Sequence, residues 1–156
     1  MLATSLRRFA AIGLAAFALT TSACGDDSSG STGPAPVPAD VSGKYALTGL
    51  RTLGNLNGGG NGLPVTFTDG GGSTLRFLGG ELVLTADGSY SLEVDAEFNG
   101  GGVTMSDEGS YQIEGAAIDF DPTTSQQRMD SGTINGSSIR ARVQFGGIPF
   151  EIDLNK

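Results

Sequence analysis

The chain has 156 residues, 26 of them Gly, with one Cys, no His and no Trp. These counts exclude His-based catalytic triads, His or multi-Cys zinc sites and any disulfide within the chain. All 17 Asp and Glu but only seven of the nine Lys and Arg follow residue 23, so we expect an acidic surface that repels nucleic acid and anionic lipid headgroups.

The chain begins with the features of a secretory signal peptide. Arg7 and Arg8 precede an apolar run at residues 9–19, whose 11 residues are too few to span a bilayer but suit export. The sequence therefore predicts that residues 1–23 are a signal peptide and are removed.

Three small residues, TSA at 21–23, stand before Cys24 and resemble the lipobox of bacterial lipoproteins, with Thr21 where Leu is usual. The resemblance implies cleavage before Cys24 and acylation of that residue with chains such as palmitate, which would anchor the protein in a membrane. The alternative is ordinary signal cleavage near Ala23, which would leave a free thiol.

Residues 24–40 are predicted to be the lipidated Cys24 and a disordered linker. Residues 25–40 read GDDSSGSTGPAPVPAD, in which Ser, Gly, Asp and Pro leave almost nothing to bury. We expect an exported, lipid-anchored protein of the cell envelope, in either the inner or the outer membrane. Its folded domain is predicted to be residues 41–156.

The clearest β-hairpin lies at residues 81–98. Apolar and polar residues alternate strictly over 90–98, which indicates a strand with one dry face. A three-residue loop at 86–88 would pair Leu84 with Tyr90 on that face. The pattern therefore predicts a type I turn closed by Gly88.

Three later turns are predicted in the same way, from the pairing of apolar residues on one face and from the turn residues themselves. A four-residue loop at 99–102 would set Phe98 against Val103. A two-residue turn at 114–115 would set Tyr111 against Ile118. Asn135-Gly136 is a signal for a type I′ turn.

A turn at Gly146-Gly147 gives the best-determined register. It matches residues in pairs on both faces of the two strands, opposite charges on the wet face and apolar residues on the dry one. The predicted pairs are Arg142 with Glu151, Arg140 with Asp153, Val143 with Phe150, Ala141 with Ile152, and Ile139 with Leu154.

Short connections make sequential strands antiparallel neighbours. The sequence therefore predicts an all-β fold, an antiparallel meander of 8–10 strands that closes into an up-and-down β-barrel. The first strand, 42–51, would lie beside the last, 148–154, and Gly79-Gly80 would form a bulge or corner. A sandwich is the alternative.

Three segments carry a resemblance to the lipocalin-like domains of small bacterial lipoproteins. They are VSGKYAL at 41–47, LVLTADGSY at 82–90 and GSYQIEGAAIDF at 109–120. Gly43-Lys44-Tyr45 stands where lipocalins carry Gly-x-Trp. The resemblance implies a calycin-type barrel that binds a small apolar molecule.

Eight residues on the dry faces are the candidate ligand-binding residues, with tyrosine hydroxyls as polar handles. The alternative is a barrel filled by its own side chains. The eight are Tyr45, Leu47, Tyr90, Leu92, Tyr111, Phe120, Val143 and Phe150.

Asp107 falls on a dry face, and Arg51 falls on the same face as Tyr45. An inward pair of these two charges would orient the polar head of a ligand. The alternative is a bulge at residues 107–109 that turns Asp107 to water.

Nothing in the pattern indicates an enzyme. No His base is available and no Gly-x-Ser-x-Gly elbow occurs, so we predict no catalytic residues, no metal site and no cofactor. The acidic residues at 93, 95 and 97 lie two apart along a strand, which is typical of a solvated face rather than of a calcium cage.

The sequence thus predicts a membrane-anchored envelope lipoprotein whose barrel binds or carries a small hydrophobic molecule. The alternative is a structural or protein-interaction module of the cell envelope, with a filled barrel and an envelope protein as partner. An open sheet edge or an exposed apolar patch would favour the alternative.

Overall fold

The structure is a computed structural model that describes residues 40–60, 62–123 and 126–156. The predicted signal peptide, the lipidation site Cys24 and the linker up to residue 39 lie outside the described residues. The part of the chain that is described contains no helix and ten β-strands. They are β1 (Gly43–Thr52), β2 (Asn57–Gly58), β3 (Val65–Thr68), β4 (Thr74–Leu84), β5 (Ser89–Phe98), β6 (Gly101–Glu114), β7 (Ala117–Pro122), β8 (Gln127–Asn135), β9 (Ser138–Phe145) and β10 (Ile148–Asn155).

The strands form one antiparallel sheet that closes on itself. Its order is β1-β10-β9-β8-β7-β6-β5-β4-β3-β2, and β1 also pairs with β4, so that eight strands form a closed ring. The hairpin of β2 and β3 is attached to the outer edge of β4. The predicted up-and-down barrel, with the first strand beside the last, is confirmed.

The two ends of the barrel differ in how the wall is made. At the closed end, which carries the turns at 86–88, 115–116 and 136–137, β1 pairs directly with β4 through Gly43–Ala46 and Glu81–Leu84. At the split end, which carries the turns at 99–100 and 146–147, β1 and β4 separate. The β2–β3 hairpin fills the space between them, with Val65 and Phe67 buried in the core.

The registers of two hairpins are confirmed. All five predicted pairs of β9 and β10 are present, including Arg140 opposite Asp153 and Val143 opposite Phe150. Leu84 lies opposite Tyr90 across the three-residue loop, and Gly88 has the predicted positive φ, 85°.

The predicted β5–β6 register was wrong by two residues. Asn99 and Gly100 alone form the turn, with φ of 49° and 82°, and Phe98 lies opposite Gly101 rather than Val103. Two positive φ values in succession define a type I′ turn, which Asn-Gly favours strongly enough to override the longer loop. A shift of two leaves each side chain on its predicted face, because the side-chain period of a strand is two.

Two further turns also differ from prediction. Gly115 and Ala116 form the β6–β7 turn, so Tyr111 lies opposite Phe120 rather than Ile118. The β8–β9 turn is Gly136-Ser137, one residue later than predicted, and places Ile134 opposite Ile139. In both turns the Gly has positive φ at the first central position, as a type II′ turn requires.

Bulges occur in three strands, β4, β1 and β8, the last of them between Met129 and Gly132. The predicted irregularity at residues 79–80 is confirmed as a shift of register between Phe77 and Gly79 in β4. A second bulge, between Leu47 and Gly49 in β1, was not predicted. It reverses which residues face inward, so Leu50 is buried although the alternation from Tyr45 would turn it outward.

Candidate functional site

The eight candidate ligand-binding residues form part of the packed interior. Seven of them are buried, and Tyr111 is partly buried against the same core. The ring of Phe150 packs against those of Phe67 and Phe77, with centroids 5.4 and 5.3 Å away, and the rings of Tyr90 and Phe120 are 5.0 Å apart. These side chains therefore contact one another across the barrel, in the manner of a filled interior.

The three tyrosine hydroxyls that were predicted as polar handles all donate hydrogen bonds within the domain. Tyr45 donates to the carbonyl oxygen of Val41 at 2.6 Å, and Tyr111 to that of Thr85 at 2.7 Å. Burial raises the pKa of both phenols. Tyr90 donates to a carboxylate oxygen of Asp107 at 2.7 Å.

Concavities occur mainly on the outward-facing parts of the strands. Two of about 630 Å³ are formed by the described residues, one around Arg140 and Asp153 and the other around Ser91, Glu108 and Asp121. Tyr90 contributes to the second, and none of the other seven candidate residues lines either.

The most unusual feature of the wall is a second split, between β6 and β8. β6 and β7 are paired only from Gly109 and Pro122 toward the closed end. Toward the split end the last link is a hydrogen bond of 2.8 Å from the amide of Thr123 to the carbonyl of Glu108. Beyond it, no described strand pairs with β6 on the side away from β5.

Side chains take the place of the missing backbone ladder at this split. Asp107, only 2% exposed, accepts hydrogen bonds from the Met129 amide and from the Tyr90 hydroxyl, both at 2.7 Å. The side-chain oxygen of Gln127 accepts one from the amide of Ser106 at 3.2 Å. Asp107 therefore links the paired strands β5 and β6 to β8, where no backbone ladder joins β6 to β8.

The structure places Asp107 on the predicted inward face but corrects its predicted partner. Because the bulge in β1 reverses the facing of later residues, Arg51 lies on the outside of the barrel. There its guanidinium is 2.8 Å from Asp153 and 3.0 Å from Glu151. An inward pair of Asp107 and Arg51 does not form, and the prediction that such a pair would orient a ligand was wrong.

The free side of β6 leaves a short edge open. The amide of Ser106 and the carbonyl of Glu108 both point away from β5. Backbone groups alternate in direction along a strand, so those of Gly102 and Thr104 also point to the open side. We call residues 101–106 the open edge. Its sequence, GGVTMS, has neither the Lys nor the Pro with which many proteins protect such edges.

Apolar side chains are exposed beside the open edge. Phe98 is 55% exposed and Val103 39% exposed, both on strand positions that would face the core if the barrel extended further. Leu78, at the bulge of β4, is 40% exposed and contributes with Val103 to a concavity of about 410 Å³.

Charge is divided between the two halves of the barrel. Residues 77–127, which run from β4 to the start of β8, include ten Asp and Glu and no Lys or Arg. On the outer face next to the open edge, Asp95 accepts a hydrogen bond from Thr104, and Glu108 is exposed. Arg76 and Lys44, which lie outside this segment, pair with its Glu97 and Glu81 at 3.2 and 2.7 Å, and other cations cluster with Asp153. We call residues 77–127 the acidic half.

Sequence reasoning missed the open edge, because the separation of β6 from β8 depends on contacts between distant strands. The acidic half was readable from the sequence as a run of residues without Lys or Arg. Among the described residues, no cluster of three or more potential metal ligands converges, and no helix is long and apolar enough to cross a membrane.

Comparisons with known proteins add no relative from which a role could be transferred. No protein-family model, no curated protein and no solved structure matches the chain. The geometry of the barrel is consistent with a calycin-type fold.

Proposed function

We propose that this chain is a membrane-anchored lipoprotein of the cell envelope whose barrel serves as a protein-interaction module. The anchor would be Cys24, acylated after export. The observation that carries the proposal is the contrast between the barrel's interior and its split end. The interior is occupied by the protein's own side chains, while the split end exposes apolar residues and an open strand edge.

Binding inside the barrel is the competing function, and the packing disfavours it. A ligand that reached Val143 and Phe150, both 0% exposed, would have to displace the aromatic side chains around them. Protein interiors are packed to near-crystalline density, so such displacement is costly. Surface binding at the split end requires no such rearrangement.

Exposed apolar side chains support an interaction surface. Isolated exposed apolar residues are common in soluble proteins, but contiguous ones beside an unpaired strand edge are typical of binding sites and of aggregation sites. Phe98 and Val103 lie on the adjacent strands β5 and β6, directly before and shortly after the turn that joins them.

Site-specific photocrosslinking in the native host tests the proposal. A photoreactive residue at Phe98 or Val103 is expected to give a discrete protein adduct. Ile113, also on β6 but at the closed end and 38% exposed, is the matched control and should give none. Equal adducts at all three positions, or a stoichiometric apolar passenger in the purified chain with no adduct, would overturn the proposal.

The anchor is tested separately. Cys24→Ser should abolish incorporation of labelled fatty acid and release the protein from the membrane, whereas Ser22→Ala should retain both properties. Labelling that survives Cys24→Ser would contradict the lipoprotein assignment and leave the interaction surface unaffected.

A further inference from the structure

We propose that the open edge of β6 binds an extended segment of a partner protein that carries Lys or Arg, by adding it to the sheet as a further strand. The inference rests on the proposed interaction function and specifies its surface and its partner. It combines three independent features of the described residues: free backbone groups, exposed apolar side chains and a one-sided charge.

The backbone supplies the first part of the site. Gly102 and Thr104 direct their amide and carbonyl groups to the side on which no described strand pairs with β6. An incoming strand can satisfy these groups as the neighbouring strand of a sheet does. Glycines at 101 and 102 leave space for bulky side chains of the added strand, and a Cβ at Gly102 would meet no heavy atom within 4 Å.

The side chains on either face set the chemistry of the added segment. On the inward face, Val103 and the nearby Phe98 offer apolar contacts to every second residue of the partner. On the outward face, Asp95 lies opposite Thr104 across β5 and β6, and Glu108 extends the acidic surface along β6. Glu97 is already paired with Arg76, but neither Asp95 nor Glu108 forms an ion pair with a described Lys or Arg, so the outward residues of the partner should be basic.

The same features disfavour a second copy of the chain as the occupant. Two barrels joined through the open edge would bring Asp95 and Glu108 of both copies together, and the nearby Arg76 is already paired with Glu97. A stable dimer also needs about 1,200 Å² or more of buried surface. Two convex barrels touching along a short edge cannot readily reach that area, whereas a flexible segment can follow the edge and also contact Phe98 and Val103.

Peptide binding to the full-length chain, purified in detergent, provides the test. The probes are fluorescent peptides of alternating sequence, VKVKVKVK and VEVEVEVE, followed by fluorescence anisotropy. The Lys peptide is expected to bind and the Glu peptide not to bind. Thr104→Pro removes a backbone donor on the open side and should weaken binding on the order of tenfold or more, the equivalent of one or two hydrogen bonds. Thr104→Val keeps the donor and should bind like the unmodified chain.

A charge variant keeps the test valid if Thr104→Pro fails to fold. Asp95→Asn combined with Glu108→Gln should weaken binding of the Lys peptide and reduce its salt dependence. The matched control, Glu114→Gln combined with Asp119→Asn, removes two acidic side chains near the closed end. It should change neither the affinity for the Lys peptide nor its salt dependence.

Three results would overturn the inference. They are equal binding of the Lys and Glu peptides, binding that is indifferent to both the Thr104 and the charge variants, and concentration-dependent dimers that Thr104→Pro dissolves. If the peptides fail while Phe98 and Val103 still give specific crosslinks in cells, the interaction function stands and strand addition at the open edge is wrong.

Discussion

The wall of the barrel separates at two places at the same end, and the two splits are sealed in different ways. Between β1 and β4 the β2–β3 hairpin is inserted, and Phe67 from that hairpin is 0% exposed in the core. Between β6 and β8 no described strand is inserted, and the side chains of Asp107 and Gln127 bridge the strands instead. The first split is closed by apolar packing and the second by hydrogen bonds.

The comparison shows why one split is part of the core and the other is a candidate surface. β3 pairs with Thr74–Phe77 of β4 and β1 pairs with Glu81–Leu84, so most of this edge of β4 is bonded to backbone. A carboxylate and an amide satisfy only the groups they reach, so Gly102 and Thr104 on β6 keep their backbone groups available. Removing the aromatic cluster at the first split and the carboxylate at the second should therefore have different consequences for stability.

The largest effect is expected at the aromatic cluster behind the hairpin. Phe150→Ala removes the ring that contacts Phe67, Phe77 and Phe145, with centroids 5.3–5.8 Å away. Loss of a fully buried Phe should lower the free energy of unfolding by about 3–5 kcal/mol, measured by urea denaturation. Leu78→Ala, at a side chain 40% exposed, is the control and should stay within about 1 kcal/mol. Equal losses from the two variants would mean that the cluster does not seal the first split.

The hydrogen-bonded bridge at the second split should contribute less to the free energy of unfolding than the aromatic cluster, but its loss should have a more local effect. Asp107→Leu leaves the Met129 amide and the Tyr90 hydroxyl without this acceptor, which should lower the free energy of unfolding by about 2–3 kcal/mol. Hydrogen exchange at the Met129 amide should accelerate beyond the global effect, because the split opens locally. Asp107→Asn retains an acceptor oxygen, so its free energy of unfolding should fall by less than that of Asp107→Leu. Unchanged protection of the Met129 amide in Asp107→Leu would refute the bridging role.

How far the sequence predicted this molecule depended on how many constraints acted on each hairpin. The β9–β10 register was correct because charges and apolar residues constrain both faces at once, as Arg140 with Asp153 and Val143 with Phe150 show. The β5–β6 register was wrong by two because Gly101 and Gly102 have no side chains that could define a pair. The shift of two left each residue on its predicted face, so Asp107 does lie on the dry face, although the sequence left open a bulge that would have turned it to water.

The features that the sequence did not reveal depend on distant contacts. The bulge in β1 turns Arg51 outward toward Asp153, about a hundred positions later in the chain, and no local pattern signals it. The split between β6 and β8 likewise depends on where β7 leaves β6, a position that is set by the packing of the whole barrel. For the candidate site, the sequence therefore indicated the inward carboxylate but not its hydrogen-bond donors Tyr90 and Met129, and not the open edge.

The two halves of β6 can be compared directly through their glycines. Gly109 lies where β6 is still paired with β7, and an added Cβ would collide with the carbonyl oxygen of Asp121 and lie 3.0 Å from Cα of Pro122. Gly109→Ala should therefore lower the free energy of unfolding by about 1–3 kcal/mol, because a backbone has to move. Gly102→Ala, in the open edge, should be close to neutral in thermal denaturation. A marked fall in the melting temperature of Gly102→Ala would mean that another part of the chain covers the open edge.

The smallest effect concerns Tyr90 and appears mainly at high pH. Burial, and then the hydrogen bond to Asp107 and its negative charge, raise the pKa of the Tyr90 phenol above its ordinary value of 10.0. Above pH 10 the unfolded chain has released this proton while the folded chain retains it. The contribution of Tyr90 to the free energy of unfolding should therefore be fully present below pH 10. It should fall by about 1.4 kcal/mol per pH unit as the pH rises above 10.

Tyr90→Phe separates the hydrogen bond from the titration. At neutral pH the variant should lose only about 1 kcal/mol, because Asp107 keeps the Met129 amide as a donor. At alkaline pH its stability should decline less steeply than that of the unmodified chain, as measured by urea denaturation across the pH range. Tyr111→Phe, whose hydroxyl bonds to Thr85 away from the split, is the control for general loss of a phenol. If both variants flatten the alkaline decline equally, the Tyr90 hydroxyl has no specific role in the hydrogen-bonded bridge between β6 and β8.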